Sequence, residues 1–269
     1  MNRETRIAVI VGAAVLFGIG LVLGFALGRT GEDEAAPIPS PVTPSTTAVA
    51  PSSVVVTPSP GDAPAISSRG AVLQEGDRTV VAAPSNAACA ALIAAGTLGD
   101  CDDVAVAGQR VVWVVEQART PTGASAFSVG ILTFVPDEGG WVRWLEASDP
   151  AGERWANVNV LASDLTGDGV PELLVGFRSI GEADVLEYDI VGYDGSAVPE
   201  VLAHPESARK GSVIVSAGTL QDYSAQYPND EPVCCPPTFL RRTIAFKDGF
   251  FRTVGSENVA TTAVPASQL

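Results

Sequence analysis

What this chain has little of narrows its chemistry first. It contains one histidine, His204, one methionine and only two lysines among 269 residues. Hydrolysis by a serine, a histidine base and an orienting acid would rest on His204 alone, and no G-x-S-x-G elbow accompanies it. His204 stands in Ala203-His204-Pro205-Glu206, which reads as a surface loop with a structural or solvent-exposed ring. No CxxC pair occurs, so the usual zinc-ligand spacing is missing. A phosphate-cradling G-x-x-x-x-G-K-[ST] loop is absent, as is a G-x-G-x-x-G turn after a strand. Positive charge is scarce too: from Arg69 onward 13 Lys+Arg face 26 Asp+Glu, a net of −13. A nucleic-acid backbone needs a basic patch, so nucleic acid is excluded as a partner.

What is present begins with a long apolar run. Residues 7–28 carry no charge over 22 positions, and as a helix they would extend about 33 Å, the thickness of a bilayer core. Arg3 and Arg6 precede the run, while Glu32, Asp33 and Glu34 follow it, which places residues 1–6 in the cytoplasm and the remainder outside. The competing reading is a cleaved signal peptide, with Ala26 and Gly28 at suitable offsets, but its apolar core would normally be shorter. Gly20, Gly24 and Gly28 recur every four residues and make one smooth helix face, suited to self-association within the membrane. Residues 29–69 are rich in Pro, Ser and Thr and poor in apolar bulk, so a disordered linker is expected there.

Residues 70–256 change character. Short Val-, Leu- and aromatic-rich runs at 110–118, 126–135, 141–147, 156–162, 172–177, 185–193, 211–215, 240–246 and 250–254 predict strands. Pro136-Asp137-Glu138-Gly139-Gly140 signals one hairpin, and Lys247-Asp248-Gly249 signals another through the positive φ angles that Asp-Gly tolerates. One helix is expected over 86–95. The fold class is therefore mainly β: an antiparallel barrel, sandwich or partial propeller with one short helix. Residues 257–269 read as a flexible tail. Trp113, Trp141, Trp144 and Trp155 are expected mainly in the core.

All four cysteines, Cys89, Cys101, Cys234 and Cys235, fall in the exported part, and an even count there points to disulfides. Three connectivities are open. Cys89 with Cys101 would staple the helix to an acidic turn at 100–103 and leave a strained vicinal pair. The two crossed pairings tie the helix to the later loop, and they are favoured because adjacent cysteines close on each other only with strain.

The most chemical stretch is Asp164-Leu165-Thr166-Gly167-Asp168-Gly169-Val170-Pro171-Glu172. Oxygen side chains at Asp164, Thr166, Asp168 and Glu172, with the Val170 carbonyl, follow the order in which a short loop wraps Ca²⁺. The plain alternative is a metal-free turn in which the aspartates accept backbone hydrogen bonds. This loop, running directly into Leu173-Leu174-Val175, resembles the calcium loops of FG-GAP and VCBS repeats in integrin-type propellers. Together with Asn229-Asp230-Glu231-Pro232-Val233-Cys234-Cys235-Pro236 and a closing hairpin, it also resembles secreted actinobacterial proteins, a likeness that implies an address and no activity. The expected function is a membrane-anchored extracytoplasmic module binding a cell-envelope component or protein partner. The alternative is an envelope hydrolase cleaving glycans through paired carboxylates.

Overall fold

The computed structural model describes residues 63–82, 85, 89–90, 98–106, 109–181, 184–193, 198–227 and 234–269. The expected membrane helix, Gly20, Gly24 and Gly28, and most of the expected linker lie outside these residues. Among the described residues, no helix is long and apolar enough to cross a membrane. Of the helix expected over 86–95, only Cys89 and Ala90 are described, and both are helical.

Three antiparallel sheets follow one another along the chain. The first holds β1 (Gln74–Glu75), β2 (Val80–Val81), β3 (Leu98–Val106), β4 (Gln109–Arg119), β5 (Ser125–Val135) and β6 (Gly140–Asp149), in the order β1-β6-β5-β4-β3 with β2 also on β6. The second holds β7 (Trp155–Ser163), β8 (Glu172–Ser179), β9 (Val185–Tyr193), β10 (Pro199–Ala203) and β11 (Ala208–Arg209), in the order β10-β9-β8-β7 with β11 on β9. The third is β12 (Ser212–Ser216), β13 (Thr219–Gln226), β14 (Thr238–Lys247) and β15 (Phe250–Ala260), paired in chain order. Each sheet is open, so none closes into a barrel.

Two shared cores explain the apolar runs. Strand side chains alternate between faces, so a continuously apolar strand must be covered on both. In β8, Leu173, Val175 and Phe177 join Val111, Trp113 and Ile131 of the first sheet in one cluster. Leu174 points the other way and joins Tyr188, Ile190, Leu220 and Ile244 in a cluster reaching the third sheet. The middle sheet is therefore sandwiched. Strand β4 is likewise buried throughout 111–115, because Val112 and Val114 pack outward with Leu132, Trp141, Cys89 and Cys101.

Both expected hairpins form. Pro136–Glu138 makes a 3-10 turn between β5 and β6, with Gly139 left-handed. Asp248 (φ 52°) and Gly249 (φ 80°) turn the chain from β14 into β15.

Four expectations are corrected. The acidic turn at 100–103 is part of β3; its aspartates sit on the outer strand of the first sheet, where charge discourages pairing with another chain. Residues 63–69 of the expected disordered linker are ordered: Ile66 packs into the second core and donates its N–H to the Phe251 carbonyl (2.7 Å). From there the segment passes the His204 N–H, which donates to the Ser67 carbonyl (2.9 Å), and reaches β6 through β1. It thus straps all three sheets. The expected flexible tail at 257–269 is also held, first as the end of β15, then by Gln268 N–H to Val213 O (2.9 Å) and by Leu269 buried in the second core. Lastly, the favoured crossed cysteine pairing is overturned, because Cys89 bonds Cys101. Cys101 lies on the first sheet and packs with Cys89 against Trp141, whereas Cys234 and Cys235 are exposed thiols leading into β14 of the third.

Candidate functional site

The aspartate loop connects β7 to β8, two strands paired through Ser163 and Glu172. Gly167 and Gly169 both have left-handed backbones (φ 82° and 84°), which a side chain would strain, and this explains the Gly-Asp-Gly spacing. Asp164 accepts the Gly167 N–H on Oδ1 (2.7 Å) and the Gly169 N–H on Oδ2 (3.0 Å). Asp168 Oδ1 accepts the Val170 N–H (2.7 Å). Glu172 turns inward: Oε2 accepts the Leu165 and Thr166 N–H groups (2.7 and 3.1 Å), and Oε1 accepts the Thr166 hydroxyl (3.1 Å). Leu165 is buried in the second core and Val170 packs against the first, so the loop plugs both interfaces of the middle sheet.

The hydrogen bonds within the loop are those that a self-capped turn makes. A Ca²⁺ loop aims six to eight oxygens at one point. Here the carboxylates are directed at the loop's own N–H groups. Among the described residues no group of three or more His, Cys, Asp or Glu side chains is placed to hold a metal ion.

The loop nevertheless walls a cavity of about 430 Å³. Thr166, Asp168 and Glu172 form one side; Tyr193, Glu200, Val201 and Leu202 come from β9 and β10; Phe246, Gly249, Phe250 and Phe251 come from the β14–β15 hairpin. Asp164 and Val170, also expected as metal ligands, are not among the lining residues. None of the described lining residues is basic. Burial raises the Glu172 carboxyl above its ordinary range against the pull of Leu165 and Thr166, and Asp168 pushes it the same way. Burial also pushes the Tyr193 phenol up, with the charge of Glu172 adding to the effect. The Tyr193 hydroxyl is buried and finds no hydrogen-bond partner among the described residues. An orphaned polar atom of this kind demands an explanation. Phe250 is 55% exposed at the rim, and the Arg252 guanidinium sits 5.8 Å from its ring centroid.

Of the two roles its sequence left open, structural or solvent-exposed, His204 takes the structural one. Its Nδ1 lies 2.7 Å from Oδ1 of the fully buried Asp189, whose Oδ2 accepts the Leu73 N–H of the strap (2.7 Å). The Asp189 hydrogen bond raises the His204 pKa above its ordinary 6.5, outweighing burial. A second cavity of about 320 Å³ lies here, lined by Ser67, Arg69, His204, Glu206 and Arg242 among others. Beneath it Asp222 accepts both Nε and Nη2 of Arg242 (2.7 and 2.8 Å) and the Tyr188 hydroxyl (2.8 Å). Arg242 Nη1 also donates to Glu206 (2.8 Å).

The tryptophans do not share a surface. Trp113 and Trp155 lie in the first core, Trp155 tilted 4.8 Å from Phe177; Trp141 is in the outer cluster; Trp144 is covered by Arg78 at 4.4 Å. Sequence reasoning missed Tyr193, Glu200 and the three phenylalanines as parts of one cavity. The Asp-Gly hairpin that carries the phenylalanines was legible; its position over the aspartate loop was not.

No protein-family model matches this chain, and no curated protein or solved structure is significantly similar to it.

Proposed function

We propose that this protein is a membrane-anchored extracytoplasmic binding module of the cell envelope, and that its ligand site is the cavity beside the aspartate loop. The observation that carries the reading is a cavity walled by three carboxyl groups, three phenylalanines and Tyr193, whose buried hydroxyl has no hydrogen-bond partner among the described residues. Pockets that recognise small groups combine apolar walls with a few convergent polar atoms, which is this composition. Acidic and aromatic walls together favour a cationic group on an apolar body, and the Arg252 guanidinium above Phe250 supports that preference from within the chain. The apolar run at 7–28 and the proline-rich stretch after it support the anchor and spacer. Three successive meanders of four strands support a partial propeller, with the aspartate loop at one of its hairpins. The loop itself we read as a self-capped turn that shapes the wall.

Glycan hydrolysis is less well supported. A general acid must be free to protonate the leaving oxygen, whereas the Glu172 oxygens already accept three hydrogen bonds from the loop.

The test titrates the full chain in detergent micelles with a five-carbon aliphatic diamine and with the matching dicarboxylate. The diamine is expected to bind and the dicarboxylate not, with Phe250→Ala and Glu200→Gln each weakening the diamine about tenfold. Equal binding of both probes, or affinity indifferent to both substitutions, rejects the reading.

A further inference from the structure

The two cysteines left out of the Cys89–Cys101 bond are not independent of each other. Cys234 and Cys235 are both exposed, and their sulfur atoms lie directly against each other, 2.7 Å apart. Their setting is firm on the C-terminal side. The Pro236 carbonyl accepts the Thr261 hydroxyl (2.6 Å), and Thr238 opens β14, which is paired on both sides. Lys210 is near enough to favour the Cys235 thiolate, against the stronger opposing effect of Cys234. This is an accessible dithiol held with its sulfurs together. The Cys89–Cys101 pair, by contrast, packs against the outer cluster of the first sheet.

We propose that Cys234 and Cys235 form a redox-responsive dithiol site that closes to a vicinal disulfide by exchange with small-molecule disulfides. Either exposed thiol can open the exchange as its thiolate; with Cys234 leading, the steps are these. Attack on one sulfur of a disulfide RSSR forms a Cys234–SR mixed disulfide and releases RS⁻. The Cys235 thiolate then attacks the Cys234 sulfur, forming the Cys234–Cys235 bond and releasing the second RS⁻. The two protein thiols lose two electrons and two protons; RSSR gains them and leaves as two RSH. Closure is intramolecular between sulfurs already in contact, so the mixed disulfide is short-lived.

The product differs in kind from a structural cystine. Consecutive Cα atoms lie about 3.8 Å apart across a trans peptide, below the ~4.4 Å at which ordinary disulfides begin. Strained and exposed disulfides are the readily reduced ones. The chain therefore carries two sulfur pairs of opposite character, one a staple and one a switch. The switch lies just before β14, the strand whose far end brings Phe246 to the ligand cavity.

The experiment uses the full chain in detergent micelles, treated with a mild monothiol and then with oxidised glutathione, alkylated, digested and weighed. The peptide holding both residues is expected to lose two hydrogen atoms and carry no glutathione. Cys235→Ser is expected to trap the glutathione adduct on Cys234. On graded reduction the vicinal bond is expected to open at a reductant concentration at least about tenfold below that needed for Cys89–Cys101. Two alkylated thiols in the wild-type peptide, a persistent adduct in the wild type, or reduction of both bonds together would each overturn the proposal.

Discussion

His204 and Asp189 show how one side-chain pair governs a long-range connection. Asp189 is wholly buried, and its two oxygens hold His204 on one side and the strap residue Leu73 on the other. The aspartate hydrogen bond raises the folded-state pKa of His204, with Glu187 adding to it, and the ring also faces Arg69, Glu206 and Arg242 across the cavity. A raised histidine pKa contributes stability that is complete below the unfolded value of 6.5 and lost as pH climbs through the folded value. Thermal stability is therefore expected to fall as pH rises upward from 6.5, and His204→Gln should remove that slope. Melting curves across this range decide it, and an unchanged slope in His204→Gln would show that other groups set it. Asp222 illustrates the complementary case, a buried acid whose three donors come from Arg242 and Tyr188. Such groups are invisible in sequence because β13 reads as the polar run Thr-Leu-Gln-Asp-Tyr-Ser-Ala-Gln.

Among elements, the aspartate loop is the most instructive. Its oxygen order suits a cation, yet a loop of carboxylates and glycines has two ways to satisfy its N–H groups and its acids. The Glu172 side chain turns inward, accepting from Leu165 and Thr166 while Leu165 enters the core, and this supports the self-capped reading we propose. Unfolding of the wild-type chain is expected to be the same with millimolar Ca²⁺ as with chelator, since a ligand bound only to the folded state would raise the melting temperature. Glu172→Ala is expected to cost about 1–3 kcal/mol in denaturant unfolding, because it strands buried donors. A calcium-dependent melt would restore the calcium reading. The same element-level logic explains β3, whose Gly-Asp-Cys-Asp-Asp sequence reads as a turn. On the outer strand of a sheet those charges are tolerated, and Asp103 is met there by Arg110 (2.7 Å).

At the scale of the described domain, the middle sheet couples the other two sheets. Its strands feed the core shared with the first sheet and the core shared with the third, and residues 63–75 and 264–269 tie the edges together. Stability is therefore expected to be lost in one transition, although the chain builds three separate meanders. Leu174→Ala, at a wholly buried position, should destabilise that transition by about 2–5 kcal/mol without splitting it. Calorimetry showing two resolved transitions would mean that the sheets unfold separately.

The sequence by itself determined the strands whose apolar content demands burial and the turns whose residues tolerate positive φ. Strand β9 (Val185–Tyr193) coincides with its expected bounds, and the Asp248-Gly249 turn has the expected left-handed backbone. Those properties are local, set by side-chain chemistry within a few positions. Tertiary structure alone decided the cysteine partners, the inward turn of Glu172, the burial of Asp189 and Asp222, and the docking of both ends of the described chain. Each depends on residues distant in sequence: Asp189 meets the strap 116 positions away, and Arg178 reaches the Leu269 carbonyl across 91. A buried polar group is stable only where its partner arrives, and composition does not say where that is.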